Sequence, residues 1–340
     1  MKHILVTGGA GYIGSHVVVE LAQSGYQPIV VDTFSNSERM ALSNIEKLLG
    51  HSIPHYEGDY RDQALLHDII NKQSIDGVIH IAAFKAVGES VEQPLRYYQN
   101  NVAGFISLLG TLQEAGVHHI VFSSSAAVYG TPPSAVVTEE SPCNPESPYG
   151  WTKYMDEIIL RDACRADSRL HGVALRYFNV VGSHTSTLIG ESPKGKPQNL
   201  LPIIVRAVAT DQPLTVYGTD YPTPDGTCQR DYIHVVDLAR AHVAALKHTE
   251  QTLAQDDSYA AYNIGTGKGT SVLELIRAFE RVNGIAVPHT LGPRRAGDPV
   301  ACYASATKAK KELGWQATLT IDDAVKSAWQ WHQKVQNEQV

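Results

Sequence analysis

Tyr149 and Lys153 stand four residues apart in the stretch Tyr149-Gly150-Trp151-Thr152-Lys153. On a helix, residues i and i+4 share a face, so the ammonium can sit beside the phenol. Free tyrosine ionises near pH 10, and a base working near neutrality needs that lowered by roughly three units, about 4 kcal/mol. A unit charge about 4 Å away supplies that much at an effective dielectric of about 20. By themselves the two residues also suit a solvated helix face. Ser125 makes the pattern more specific. It follows the apolar run 119–122, at the strand end where doubly wound sheets bind ligands. Its hydroxyl can bond a reacting oxygen or relay a proton to Tyr149. Ser125, Tyr149 and Lys153 are the predicted catalytic residues, whereas Ser124 and Ser123 read as capping or packing residues.

A second group lies at the N-terminus. Gly8, Gly11 and Gly14 follow the first apolar run and open a helical pattern. Glycine permits a tight turn and lets a pyrophosphate approach the backbone. The helix N-terminus adds N–H donors and partial positive charge. Asp32 ends the second apolar run, near the roughly 20-residue offset of a carboxylate that binds an adenosine ribose. A carboxylate there repels a 2′-phosphate, so the cofactor reads as NAD rather than NADP.

The elements that must hold these residues follow from the pattern. Apolar runs at 3–6, 28–31, 77–82, 119–122 and 172–177, with a weak one ending near Gly58-Asp59, alternate with helical stretches that include 94–115 and 149–166. That alternation predicts an α/β fold, a Rossmann-type doubly wound parallel sheet. After Val180 the chain turns rich in Gly, Pro, Thr and Ser, with helical stretches at 237–247, 271–282, 307–313 and 322–331, and predicts a smaller C-terminal α/β lobe. Residues 131–148 read as a long loop.

Composition narrows the partners. The 340 residues carry a formal net charge of −7 and no basic stripe, which argues against nucleic acid. No apolar run is long enough to span a membrane. The N-terminus enters a strand at once, with none of the series of regions that marks a signal peptide. Cys143, Cys164, Cys228 and Cys302 form no CxxC and read as reduced thiols, so a cytoplasmic location is expected. No metal site is expected.

The glycine spacing with the later Tyr-xxx-Lys resembles the extended short-chain dehydrogenase/reductase family. That resemblance implies cofactor contacts from Gly8, Gly11, Tyr12, Ile13, Gly14, Asp32, Asn36, Ser37, Asp59, Tyr60, Ile81, Ala82, Ala83, Lys85, Asn100, Ser123, Tyr149, Lys153 and Tyr177. Further stretches resemble the UDP-galactose 4-epimerases: residues 85–90, 176–179, 220–223, 230–234 and Arg294-Arg295-Ala296-Gly297-Asp298. This similarity runs from Lys2 to about Trp331. It implies reversible inversion of the sugar C4 of UDP-glucose and UDP-galactose, through a transient 4-keto sugar and tightly bound NAD. It divides the chain into an NAD-binding domain, 1–180, and a UDP-sugar lobe, 181–340, with some chain exchanged between them.

The same resemblance implies the substrate contacts. Arg230 and Arg295 hold the diphosphate, a task suited to forked donors. Asn179, Asn199 and Leu200 approach the sugar–phosphate junction, Tyr217 covers the uracil, Asp298 accepts from the uridine ribose, and Phe178 and Thr215 belong to the same substrate set. Lys85, Ser125 and Tyr149 complete the set. Cys302 aligns with a position beside the sugar that is tyrosine in some bacterial epimerases and small in others. A cysteine there leaves room for a 2-acetamido group, and so for UDP-GlcNAc and UDP-GalNAc, although small buried cysteines are also common core residues. Related dehydratases carry an Asp-Glu pair where this chain has Ala126-Ala127, which argues against dehydration. A UDP-pentose epimerase or a decarboxylase remains an alternative; a non-catalytic NAD sensor can lose the tyrosine or lysine, both present here. The family implies a homodimer, with stretches 94–115 and 149–166 as its candidate face.

Overall fold

The computed structural model describes residues 1–192, 194–195, 197–251, 258–295 and 298–338. The chain begins β1 (His3–Thr7), α1 (Tyr12–Gln23), β2 (Gln27–Asp32), α2 (Met40–Leu49), β3 (His55–Glu57), α3 (Gln63–Gln73) and β4 (Gly77–His80). It continues with α4 (Val87–Glu92), α5 (Pro94–Tyr97), a π-helical turn (Tyr98–Ala103), α6 (Gly104–Glu114) and β5 (His119–Ser123). A 3-10 turn (Ala126–Tyr129), β6 (Val136–Val137), α7 (Pro148–Ala166), β7 (His171–Tyr177) and β8 (Asn179–Val181) follow. The remainder runs α8 (Leu200–Thr210), β9 (Leu214–Tyr217), β10 (Gln229–Arg230), β11 (Tyr232–His234), α9 (Val235–Gln251), β12 (Tyr259–Ile264) and β13 (Thr270–Ser271). The last elements are α10 (Val272–Asn283), β14 (His289–Gly292), β15 (Ala301–Ala304), α11 (Thr307–Glu312) and α12 (Ile321–Glu338).

The main sheet has seven strands in the order β12-β7-β5-β4-β1-β2-β3. Every pairing in it is parallel. Helices cover both faces, so its strands are apolar almost throughout, with Ile4, Leu5, Val6, Ile79, Ile120 and Val121 fully buried. The strand order reverses between β1 and β4, and the crevice beyond the carboxyl ends of these strands is where such sheets bind ligands.

The smaller sheet is β13-β10-β15-β6, joined by the pairs β11-β8 and β14-β9. Against strands of those pairs α8, α10 and α12 pack through Leu201, Ile204, Leu275, Phe279 and Val325. Helix α10 opens on a reciprocal cap between Ser271 and Glu274. The chain after residue 180 also returns to the main sheet. Strand β12 is its edge, and α9 buries Leu238, Ala239 and Leu246 with Val17, Val18 and Leu21 of α1.

Two further expectations change. The single helix expected over 94–115 is α5, the π turn and α6. The π turn buries Asn101, whose Oδ1 accepts from the Phe84 N–H at 3.0 Å and whose Nδ2 donates to the Phe84 carbonyl and to Thr152. The expected loop 131–148 includes β6, which pairs with β15 and draws the loop onto the smaller sheet.

Candidate active site

The cofactor end is built from the turn after β1. Gly8 has φ +72°, and a Cβ there would lie 3.0 Å from the Ala82 amide nitrogen after β4. The loops following β1 and β4 therefore touch at the reversal point with no room for a side chain. A Cβ on Gly9 would lie 2.8 Å from Val30, and one on Gly14 would collide with the Gly8 carbonyl oxygen. No side chain caps the N-terminus of α1 and its first turn has no acidic residue, so orphan N–H donors face an anion's position. Asp32 is fixed beside this turn: it accepts from the Ala10 N–H at 3.0 Å, the Phe34 N–H at 2.9 Å and the Ser37 hydroxyl at 2.8 Å. This cradle fits a dinucleotide. Asn36 is exposed nearby. Asp59 is held below the usual carboxylate range by hydrogen bonds from Arg61, and Tyr60 donates to the Asn100 carbonyl. Ile81, Ala82 and Ala83 line the turn after β4, where the Ile81 and Ala82 amides bond Thr7.

The catalytic residues meet where β5 ends and α7 begins. Ser147 caps α7 by accepting from the Gly150 N–H at 3.1 Å, with Pro148 in the first turn. That start fixes Tyr149, which is buried. Ser125 accepts from the Ala127 N–H at 3.1 Å. Burial pushes the Tyr149 phenol up, and the hydrogen bond with Ser125 opposes that push. Lys153 stands one helical turn further along α7. The Lys153 ammonium donates to the Ser123 carbonyl at 2.8 Å and lies 4.8 Å over the Phe122 ring. Burial pulls Lys153 down to about 8.

Ser123 and Ser124 do more than pack. The Ser123 hydroxyl bonds His242 Nε2 at 2.9 Å and lowers the neighbouring Tyr177 phenol, which burial raises. Ser124 donates to Glu157. Arg176 grips Glu157 with two nitrogens and donates to the Tyr129 hydroxyl at 3.0 Å; Tyr129 donates to Asn263 at 2.7 Å. The motif reading missed Asp156, Glu157 and Tyr129. The carboxylates had a signal, because they stand three and four residues beyond Lys153 and so share its helical face.

The far end gathers residues from separate segments. Arg230 of β10 and Arg295 both donate to Asp298, at 3.3 Å and 2.8 Å. Arg230 also donates to the Pro299 carbonyl. Tyr217 is 46% exposed and close enough to influence Arg295, and Thr215 is exposed on the same strand. Ala296 and Gly297 lie outside the described residues. Cys302 pairs in register with Arg230 and packs with Tyr129, Phe178 and Ala126, the residue after Ser125. Burial raises its thiol to about 11, so it is a neutral, small side chain rather than a nucleophile. Asn179 is exposed, as is Asn199, which stands at the N-terminus of α8 just before Leu200.

The described residues between 182 and 199 pass along the cofactor end. Tyr12 donates to the Gly182 carbonyl at 2.6 Å, and Lys194 donates to the Phe34 carbonyl at 3.0 Å beside Asp32. Glu191 lies 3.6 Å from Lys85 and accepts from Asn199 at 3.0 Å, while Trp331 donates to its carbonyl. Lys85 thus reaches this segment from the turn after β4. Among the described residues no cluster of His, Cys, Asp and Glu could hold a metal ion.

Comparison with known proteins agrees with this geometry. Residues 4–265 match the profile of the NAD dependent epimerase/dehydratase family. A UDP-glucose 4-epimerase of Bacillus subtilis is 48% identical over 329 residues, covering 96% of each chain. The solved structure of a UDP-glucose 4-epimerase from Bifidobacterium longum, in complex with NAD+ and UDP, superposes with a TM-score of 0.92 at 48% identity, covering 99% of each chain. The UDP-Glc/GlcNAc 4-epimerase from Campylobacter jejuni superposes with a TM-score of 0.85 at 35% identity, covering 98% of this chain and 100% of that one.

Proposed function

We infer the reaction from one premise: this chain belongs to the NAD dependent epimerase/dehydratase family. The reaction is the reversible inversion of C4 in UDP-glucose and UDP-galactose. The observation that carries it is a buried Tyr149 at the start of α7, acted on by Ser125 and one helical turn before Lys153, whose ammonium reaches the carboxyl end of β5. NAD, when bound, takes the C4 hydride and returns it, and its oxidised ring adds positive charge near the phenol. Tyr149 takes the proton of the 4-hydroxyl and later gives it back; Ser125 orients that hydroxyl. Gly8, Gly11 and the first turn of α1 hold the pyrophosphate, and Asp32 holds the adenosine ribose.

The 4-keto sugar must turn over while its nucleotide stays in place. Arg230 and Arg295 hold the diphosphate, Tyr217 covers the uracil, and Asp298 accepts from the uridine ribose. A firm hold on UDP and a loose hold on the sugar suit a reaction that presents both faces of C4. Ala126 and Ala127 supply no acid or base for dehydration. Residues 1–180, completed by α9 and β12, serve the cofactor, and the remainder serves the UDP-sugar.

Cys302 extends the substrate range to UDP-GlcNAc and UDP-GalNAc, because its small side chain beside Phe178 and Tyr129 leaves space at the sugar. The Campylobacter relative, named a UDP-Glc/GlcNAc 4-epimerase, supports this. A homodimer is supported by Val87, Val91, Leu95, Ile106, Trp151 and Met155, apolar yet exposed on α4 to α7. The four free cysteines favour the cytoplasm, and no described helix is long and apolar enough to cross a membrane.

The test is a coupled assay of the purified protein with UDP-galactose and UDP-GalNAc side by side. Turnover of both is expected, and Cys302→Tyr should stop the second while sparing the first. Absence of UDP-galactose turnover in NAD-loaded protein would refute the reading.

A further inference from the structure

Tyr149, Lys153 and Asp156 follow one another on α7 at spacings of four and three residues, along one face. Asp156 is 1% exposed, and its Oδ1 has no hydrogen-bond partner. Buried polar atoms are nearly always satisfied, and a carboxylate in a dry interior is costly without a countercharge. Few charges face it. Lys153 and Glu157 come from its own helix, and Tyr60 comes from the turn after β3, where Asp59 and Arg61 are paired with each other. Beyond Lys153 lie His80 of β4 and the Phe122 ring of β5. Glu157 is already matched by Arg176 of β7 at 2.6 Å. Asp156 is the carboxyl left for Lys153.

We propose that Asp156 is a positioning residue of the proton-transfer machinery, acting through Lys153 by keeping its ammonium charged in the dry site so that Tyr149 can ionise. This rests on the reading of Tyr149 as the base. Burial pulls Lys153 down to about 8, and the carboxylates of Asp156 and Glu157 oppose that pull. Burial holds Asp156 well above the usual carboxylate range, and Lys153 offsets that only in part, so its negative charge is present on the alkaline side. Without the Asp156 charge, Lys153 loses its proton at lower pH. A neutral amine does not favour a phenolate, so activity disappears from the alkaline side.

The experiment follows UDP-galactose turnover by the NAD-loaded enzyme across the neutral and alkaline range. In Asp156→Asn the alkaline limb of kcat should move down by about one to three pH units, the usual effect of losing a close opposite charge, with KM little changed. Asp156→Leu should move it likewise; it leaves no buried polar orphan and serves if the Asn variant does not fold. Asp156→Glu should restore the limb. An unmoved limb in a folded Asn or Leu variant overturns the proposal, as does an equal shift in the Glu variant, which would mark a packing effect. Wild-type turnover alongside separates the two ideas: if the wild type is inactive, the reading of the reaction falls and this one with it.

Discussion

Asp32 and Asp298 are both carboxylates assigned to a ribose, yet their surroundings differ. Asp32 is held by two backbone N–H groups and one hydroxyl from chain within its own loop and the neighbouring glycine turn. Asp298 is held by two guanidiniums, one on β10 and one three residues before it. On the proposed assignment the first site is already ordered by these backbone and hydroxyl donors. The second is an internal set of charge pairs. On the proposed assignment a diphosphate would draw Arg230 and Arg295 away from Asp298, and the cost of that exchange would reduce net affinity. The difference suits an enzyme whose cofactor stays while its nucleotide sugar comes and goes.

The largest expected effect separates chemistry from both binding ends. Tyr149→Phe should lower kcat by on the order of 10²–10⁴, the usual contribution of a general base, while NAD still copurifies. Loss of NAD with that methodical single-atom change would show that the phenol belongs to the cofactor cradle. Gly14→Ala attacks the preformed end. The added methyl meets the Gly8 carbonyl, and overpacking of this kind costs about 1–3 kcal/mol. Copurified NAD and thermal stability should fall together; unchanged NAD content would show that the turn has slack. The smallest effect belongs to the charge-paired end. Arg230→Ala should raise KM for UDP-galactose about tenfold, near one charged hydrogen bond, and Arg295→Ala should raise it less, because Arg295 is more exposed. An equal or larger effect on kcat would mean that the arginines act at the transition state rather than as an anchor.

The two ends were not equally legible in the sequence. Gly8, Gly14 and Asp32 could be read because the constraints on them are local: a left-handed φ, a close approach of loops, a carboxylate at a strand end. Tyr149 and Lys153 could be read because helical spacing puts them on one face. Their present electrostatics could not, because Lys153 answers to Ser123 and Phe122, whose positions beside it only the assembled sheet fixes. Arg176, Tyr129 and Asn263 form a buried network across segments that no spacing rule connects. The π turn near Asn101 is similar, since its partners Phe84 and Thr152 lie on two other elements. Strand β12 looked like part of a second lobe because sequence order hides a return to the first sheet.

Residues 182–199 are fastened to the glycine turn through Tyr12, to the loop beside Asp32 through Lys194, and to the turn after β4 through Lys85. A dinucleotide held at the glycine turn beneath such a fastening would enter or leave only when the fastening opens, a local unfolding event. Each polypeptide would therefore take up its nicotinamide once, as it matures. The dinucleotide supply at the moment of synthesis, more than its later concentration, would set how many finished molecules are competent.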